Sequence, residues 1–169
     1  MVIVYRSNTG FTKEYAEMLG KAEKMKVFSL ADAEGRVAAG EPVLFMGPLM
    51  AGHISGIDQA MKRFAVKGVC GVGMSPASRQ VLDTLAKANY VSEGVPLFYL
   101  QGGWAPKKVG WLKRRMVNMV TKSTREALRA KGSRRTPEEE AQYQMLVKGG
   151  SFVAFEKLED IRKWLKEGQ

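Results

Sequence analysis

The chain has 169 residues, 45% of them hydrophobic, and a formal charge of +10 from 27 Lys/Arg against 17 Asp/Glu. That length holds one domain with a proper core and is short for two. A single cysteine, Cys70, excludes an internal disulfide and a cysteine-based metal cluster, and the one histidine, His53, excludes a multi-histidine metal site.

Val2, Ile3, Val4 and Tyr5 form an apolar strand that empties into Arg6-Ser7-Asn8-Thr9-Gly10-Phe11-Thr12. A strand that ends at a helix start presents backbone N–H groups without partners where the helix dipole adds positive charge, which is the architecture of a phosphate cradle. Ser7, Thr9 and Thr12 supply hydroxyls, and Gly10 lets the backbone close without a Cβ clash. The run has neither the Gly-Lys-Ser/Thr of a Walker loop nor the Gly-x-Gly-x-x-Gly of a dinucleotide turn. Tyr15, Ala16 and Leu19 mark a helix over 12–20, and Lys26 to Leu30 a second strand. Residues 31–40 read as a small, polar connection. Val43 to Met46 is a third strand, apolar on both faces as a central parallel strand requires, and Gly47-Pro48 is expected to stop it. After a turn-like stretch over 51–56, Ile57, Ala60, Met61 and Phe64 fall on one face of a second helix. Val69 to Val72 is a fourth strand, in which Cys70 reads as a buried, inert thiol. Val81, Leu82, Leu85 and Ala86 mark a third helix, and Val95 to Leu100 a fifth strand closed by Gly102-Gly103.

The charge is local. Between Trp104 and Arg135 stand eleven Lys/Arg against the single acid Glu126, so the rest of the chain is close to neutral. Read as one helix, residues 109–131 carry Leu112, Met116, Met119, Val120 and Ala127 on an apolar stripe, with Trp111, Arg114, Arg115, Asn118, Lys122, Arg125 and Arg129 opposite. Such a helix docks its stripe on the domain or lies on a bilayer with the stripe inward. An anionic membrane or a carboxylate-bearing substrate fits the charge; nucleic acid ranks behind both, since no reader motif accompanies the bases. Gly132-Ser133 breaks the helix before the cap Thr136-Pro137-Glu138-Glu139-Glu140. Residues 151–155 read as extended, and Leu158, Ile161, Trp164 and Leu165 as a terminal amphipathic helix. No apolar run is long enough to span a bilayer, and the opening residues read as a strand rather than a leader, so the expected location is cytoplasmic.

Strands alternating with helices argue for an α/β fold with a parallel sheet covered on both faces. In such a sheet the turn-rich strand ends at 7–12, 47–53, 73–77 and 101–104 meet at one rim, where ligands bind at the reversal of strand order. The spacing Ser7-x-Thr9-Gly10-x-Thr12 together with this alternation resembles the flavodoxins and their FMN-phosphate loop. More narrowly, Gly52-His53 after the third strand and the basic, Trp-containing segment 104–122 resemble the flavodoxin-type, menaquinone-dependent protoporphyrinogen oxidases. The resemblance implies a flavodoxin-like, doubly wound five-stranded parallel sheet of order 2-1-3-4-5. It implies a single domain over 1–169 with a basic helical insertion over 104–150. FMN is the implied cofactor, its phosphate held by Ser7, Asn8, Thr9, Gly10, Phe11 and Thr12. Its ring would be flanked by Pro48, Leu49, Met50, Ala51, Gly52 and His53, by Met74, Ser75 and Pro76, and by Gly102, Gly103 and Trp104. Flavodoxins commonly stack an aromatic on the flavin from these loops; here Met50, His53 and Met74 stand in the first two, and Trp104 is the candidate ring.

Lys107, Lys108, Trp111, Lys113, Arg114 and Arg115 are assigned to an anionic substrate or membrane surface. The expected function is an FMN-dependent oxidoreductase, peripheral on the inner face of the cell membrane, that oxidises a tetrapyrrole with a membrane quinone as acceptor. No residue is assigned as general acid or base. The alternative is a soluble flavodoxin-like electron-transfer protein that docks on protein partners; a third reading is a flavodoxin fold without its cofactor. A phospho-receiver, which shares the fold, is set aside because Gly47 and Arg6-Ser7 occupy the places of its acids.

Overall fold

In the computed structural model, which describes residues 1–168, the β-branched run at the start forms the strand Val2–Tyr5 (β1). It pairs in parallel with Val27–Ser29 (β2) on one side and with Pro42–Met50 (β3) on the other. A short strand, His53–Ile54 (β4), folds back antiparallel on the end of β3. Ala65–Gly73 (β5) pairs in parallel with β3, and Leu97–Gln101 (β6) in parallel with β5. The parallel order β2-β1-β3-β5-β6 is the expected 2-1-3-4-5 winding, with β4 as a sixth strand outside it.

Side chains alternate across the sheet. Val2, Val4, Phe45 and Val69 point to a face covered by Ile57–Arg63 (α2) and Arg79–Ala88 (α3), through Ile57, Ala60 and Leu85. Ile3, Leu44, Met46 and Cys70 point to the other, where Tyr15, Ala16 and Leu19 of Phe11–Glu23 (α1) meet them. Burial holds the Cys70 thiol well above its ordinary range, so it is inert, as expected.

The expectation that Gly47-Pro48 stops the third strand is wrong: β3 continues to Met50. The last β1 partner on β3 is Met46. Beyond it the neighbour of β3 is no longer β1 but the returning β4, paired at Leu49 and Met50, so the missing N–H of Pro48 interrupts no β1 ladder. The Pro48 carbonyl instead accepts from Ser55 N at 2.9 Å as the chain returns. Gly47 permits that return, because a Cβ there would lie 2.7 Å from the Ser55 carbonyl oxygen. The stretch 51–56 is likewise not all turn: Ala51 and Gly52, at φ 50° and 82°, form the two-residue bend of a hairpin whose second arm is β4.

By its contacts the chain divides into two compact units, Met1–Gly102 with the segment from Val153 onward, and Gly103–Phe152. In the second, Gly103–Trp104 (β7) pairs antiparallel with Gly150–Ser151 (β8), so its two ends lie side by side. Between them run Trp111–Val120 (α4), Lys122–Lys131 (α5) and Pro137–Lys148 (α6). The single helix expected over 109–131 is therefore two. Thr121 separates them: its hydroxyl and its amide both bond the Val117 carbonyl, and Arg125 Nη2 takes the Asn118 carbonyl at 2.6 Å. A hydroxyl bonded back to its own helix and a carbonyl drawn out to a guanidinium bend a helix at that turn. Leu128 of α5 is buried, but Leu112, Met116, Met119 and Val120 of α4 are exposed, so the expected stripe is not buried as a whole. Trp111 joins that exposed face, whereas Asn118 and Arg125 are half-buried.

The expected extended piece over 151–155 shrinks to β8 and a 3₁₀ turn at Phe155–Leu158. The terminal helix Glu159–Glu167 (α7) then returns Ile161 and Leu165 to the face of α1.

Candidate functional site

The strand order reverses between β1 and β3, and there the loops after both strands approach one another. The β1–α1 loop is held internally: Gly10 N–H donates to Ser7 Oγ at 3.1 Å. Gly10, at φ 106°, occupies the N-cap of α1 in a conformation that a side-chain-bearing residue adopts only under strain. The N-cap residue of α1 is Gly10, which has no side chain to cap the helix, whereas Ser78 caps α3 and Thr136 caps α6. The first bond into α1 is Glu14 N to the Gly10 carbonyl, at 2.9 Å. The amides before it point out of the helix at its positive end, an arrangement that suits a phosphate.

An open cleft of about 520 Å³ adjoins this loop, lined among others by Arg6, Ser7, Asn8, Gly10, Lys13 and Arg63. Arg63 is tied to Glu34 at 3.0 Å, and Lys13 lies 3.5 Å from Glu17. Arg6, the residue before the hydroxyl run, is a lining residue that sequence patterning did not single out. Gln59 and Arg63 come from α2, and no local spacing connects them to the loop.

The second predicted stretch, Pro48 to His53, is the β3–β4 hairpin. Asn8 Nδ2 reaches Met50 Sδ at 3.9 Å, which links this hairpin to the first loop. His53 turns its Nε2 to Asp58 Oδ2 at 3.2 Å, in the first turn of α2. Asn89 holds the hairpin from below, accepting from Ile54 N at 2.7 Å and donating to the Gly52 carbonyl at 2.9 Å.

The third stretch, Met74 to Pro76, is held by the end of β6. Tyr99 donates its hydroxyl to the Ser75 carbonyl at 2.6 Å, and Gln101 Nε2 donates to the Met74 carbonyl at 3.3 Å. Gln101 lies in the rim stretch 101–104 expected from the sequence, though with no role assigned to it, and Tyr99 lies outside it. The available signal is Gln101, a buried polar residue ending an apolar strand. Gly102 donates its N–H to the Gly73 carbonyl at 2.7 Å, and a Cβ on Gly102 would lie 3.2 Å from Cβ of Phe11. Loops after β1, β3, β5 and β6 are thus joined within the first unit. Gly103 and Trp104, the last residues predicted for the ring, belong to the second unit, where Trp104 is buried in β7. Lys107, Lys108, Trp111, Lys113, Arg114 and Arg115 lie in the second unit as well.

Among the described residues no group of acids, histidine and cysteine is placed to hold a metal ion. The rim has the elements a phosphate-bearing flavin would need: a helix start capped by Gly10 with hydroxyls beside it, the β3–β4 hairpin, and the Met74–Pro76 connection after β5. A family model described as a flavodoxin domain matches residues 2–129. No curated protein matches the chain. Among solved structures, one titled as a flavodoxin from the domain Archaea is similar at 14% identity, with a TM-score of 0.34, covering 59% of this chain and 82% of that one.

Proposed function

Because the chain belongs to the flavodoxin domain family, we propose that it binds FMN at the β1–β3 reversal and works as an FMN-dependent oxidoreductase. The observation that carries this reading is the start of α1, whose N-cap is the positive-φ Gly10 and whose entry is preset by the bond from Gly10 N–H to Ser7 Oγ. Ser7, Asn8, Thr9 and Thr12 with the first amides of α1 would hold the phosphate, and Arg6 and Lys13 would add positive potential from the cleft. The β3–β4 hairpin and the Met74–Pro76 turn would flank the ring, with Asn89, Tyr99 and Gln101 keeping both backbones in place. When bound, the flavin supplies the electron transfer; the protein supplies position and electrostatics. The basic second unit favours a carboxylate-bearing reduced substrate, such as a tetrapyrrole with propionates, and a quinone in an anionic membrane as acceptor.

Titration with FMN, read by quenching of flavin fluorescence and by thermal shift, tests the site. Ser7→Ala removes the acceptor that presets Gly10 N–H and should weaken binding about tenfold, the equivalent of one hydrogen bond of about 1.4 kcal/mol. Absence of any quenching or thermal shift in the unaltered protein would leave a flavodoxin fold without cofactor. Bound flavin that, once reduced anaerobically, is not reoxidised by a quinone would remove the acceptor and leave an electron carrier.

A further inference from the structure

The first unit buries its apolar side chains in two clusters, whereas α4 turns its own outward. At about 100° per residue, Trp111, Leu112, Met116, Met119 and Val120 share one half of the helix. They are 74%, 65%, 41%, 71% and 71% exposed, while Val117 on the opposite side and Asn118 at the edge beside Trp111 are half-buried. A contiguous row of five large exposed apolar residues marks a contact surface rather than scattered surface hydrophobes. Bases frame it. Arg115 lies within the row and Lys113 at its edge, and Arg114 Nη2 donates to the Pro106 carbonyl at 2.6 Å, which ties α4 to the turn bearing Lys107 and Lys108.

The placement of these bases runs against helix stability. Neither α4 nor α5 has an acid in its first turn, where the dipole favours one, and α4 puts Lys113 and Arg114 there. In the same unit α6 obeys the rule, with Glu138, Glu139 and Glu140 in its first turn and a complete capping box. A local rule broken in two helices and kept in the third points to a use for the charge.

From this face we infer that α4 is an interfacial helix, which lies in the headgroup region of an anionic lipid bilayer with Trp111, Leu112, Met116, Met119 and Val120 toward the acyl chains. The surrounding bases then meet lipid phosphates. Charge complementarity selects this occupant. A second copy of the chain would bring Lys113 and Arg115 against their own kind, and a nucleic acid backbone would leave the apolar row uncovered. Ten residues of helix are too few to cross a bilayer, so α4 lies on the surface. The inference stands on α4 alone and needs no bound flavin.

Trp111 is the one strongly exposed tryptophan, so its fluorescence reports the contact. Mixed with phosphatidylglycerol/phosphatidylcholine vesicles at low salt, the protein should co-sediment and its emission should shift to the blue. Pure phosphatidylcholine or high salt should reverse both. Lys113→Gln and Arg115→Gln should each lower the binding constant about fivefold. Met119→Ser with Val120→Ser, both on the exposed face, should abolish the blue shift while circular dichroism stays unchanged. No binding to anionic vesicles, or binding indifferent to these substitutions, overturns the inference. So does a concentration-dependent dimer that the double serine variant dissolves, which would assign the face to a second copy. Because the vesicle assay is read with and without FMN, its failure is distinct from failure of the flavin site.

Discussion

Tyr15 shows how one buried polar atom joins the core to the rim. Its ring is fully buried against Ile3 and Leu19, yet its hydroxyl donates to the Gln101 carbonyl at 2.7 Å, at the end of β6 that positions the Met74 turn. Burial is the main cause that pushes the phenol from 10.0 up to about 12, so the folded protein keeps a proton that the unfolded chain releases near its ordinary value. Stability contributed in this way is complete below pH 10.0 and is lost as the pH rises toward about 12. Tyr15→Phe should cost about 1 kcal/mol at neutral pH by removing the hydrogen bond. It should also flatten the alkaline fall in stability, leaving the part due to Tyr99, whose phenol burial also raises. Urea unfolding at neutral pH and near pH 11, between the two values for Tyr15, measures both effects. An equally steep alkaline fall in the variant would assign the titration elsewhere.

At the scale of elements, α6 is the helix whose beginning was most readable. Thr136 Oγ1 accepts from Glu139 N at 3.2 Å, and Glu139 Oε2 accepts from Thr136 N at 3.1 Å. Thr136→Ala should therefore cost about 1 kcal/mol, seen as faster hydrogen exchange confined to the first turn of α6. A hydrogen bond from Lys131 holds the Glu139 carboxyl below its ordinary range, and Gln144 and then Arg135 do so for Glu140. These contributions are present above the usual glutamate range and lost as the pH falls through the depressed values, so the same amides should lose protection below about pH 4. The cap was legible because its residues are contiguous, and so was the Ser7 to Thr12 loop. The length of β3 was not, because whether Pro48 ends a strand depends on where β1 stops. Nor was the break at Thr121, which rests on Arg125 reaching back to the Asn118 carbonyl. Tyr99, Asn89 and Arg63 are illegible for the same reason: each meets the rim from a distant element, and no local period marks it.

Across the whole molecule, both hydrophobic clusters are built from residues of the first unit alone, the second unit contributing to neither. The second unit carries twelve Lys/Arg against four Asp/Glu and buries Trp104, Leu128, Met145 and Leu146. Its ends are adjacent, since Gly103 pairs with Ser151 and Trp104 with Gly150. A short glycine linker can therefore join Gly102 to Val153 with little loop entropy, and α7 keeps its place on the face shared with α1. Excision of residues 103–152 should leave a protein that unfolds cooperatively and binds FMN with affinity within a few-fold of the intact chain, but no longer attaches to anionic vesicles. Calorimetry, FMN titration and vesicle co-sedimentation on the one shortened chain separate the possibilities. Retained folding with lost FMN affinity would assign part of the flavin site to the second unit, Trp104 and Gly103 first. Retained vesicle attachment would move the lipid contact away from α4. Lost vesicle attachment with FMN binding kept would divide the work physically: the parallel sheet would hold the flavin, and the basic helical unit between its two paired ends would set where the sheet operates.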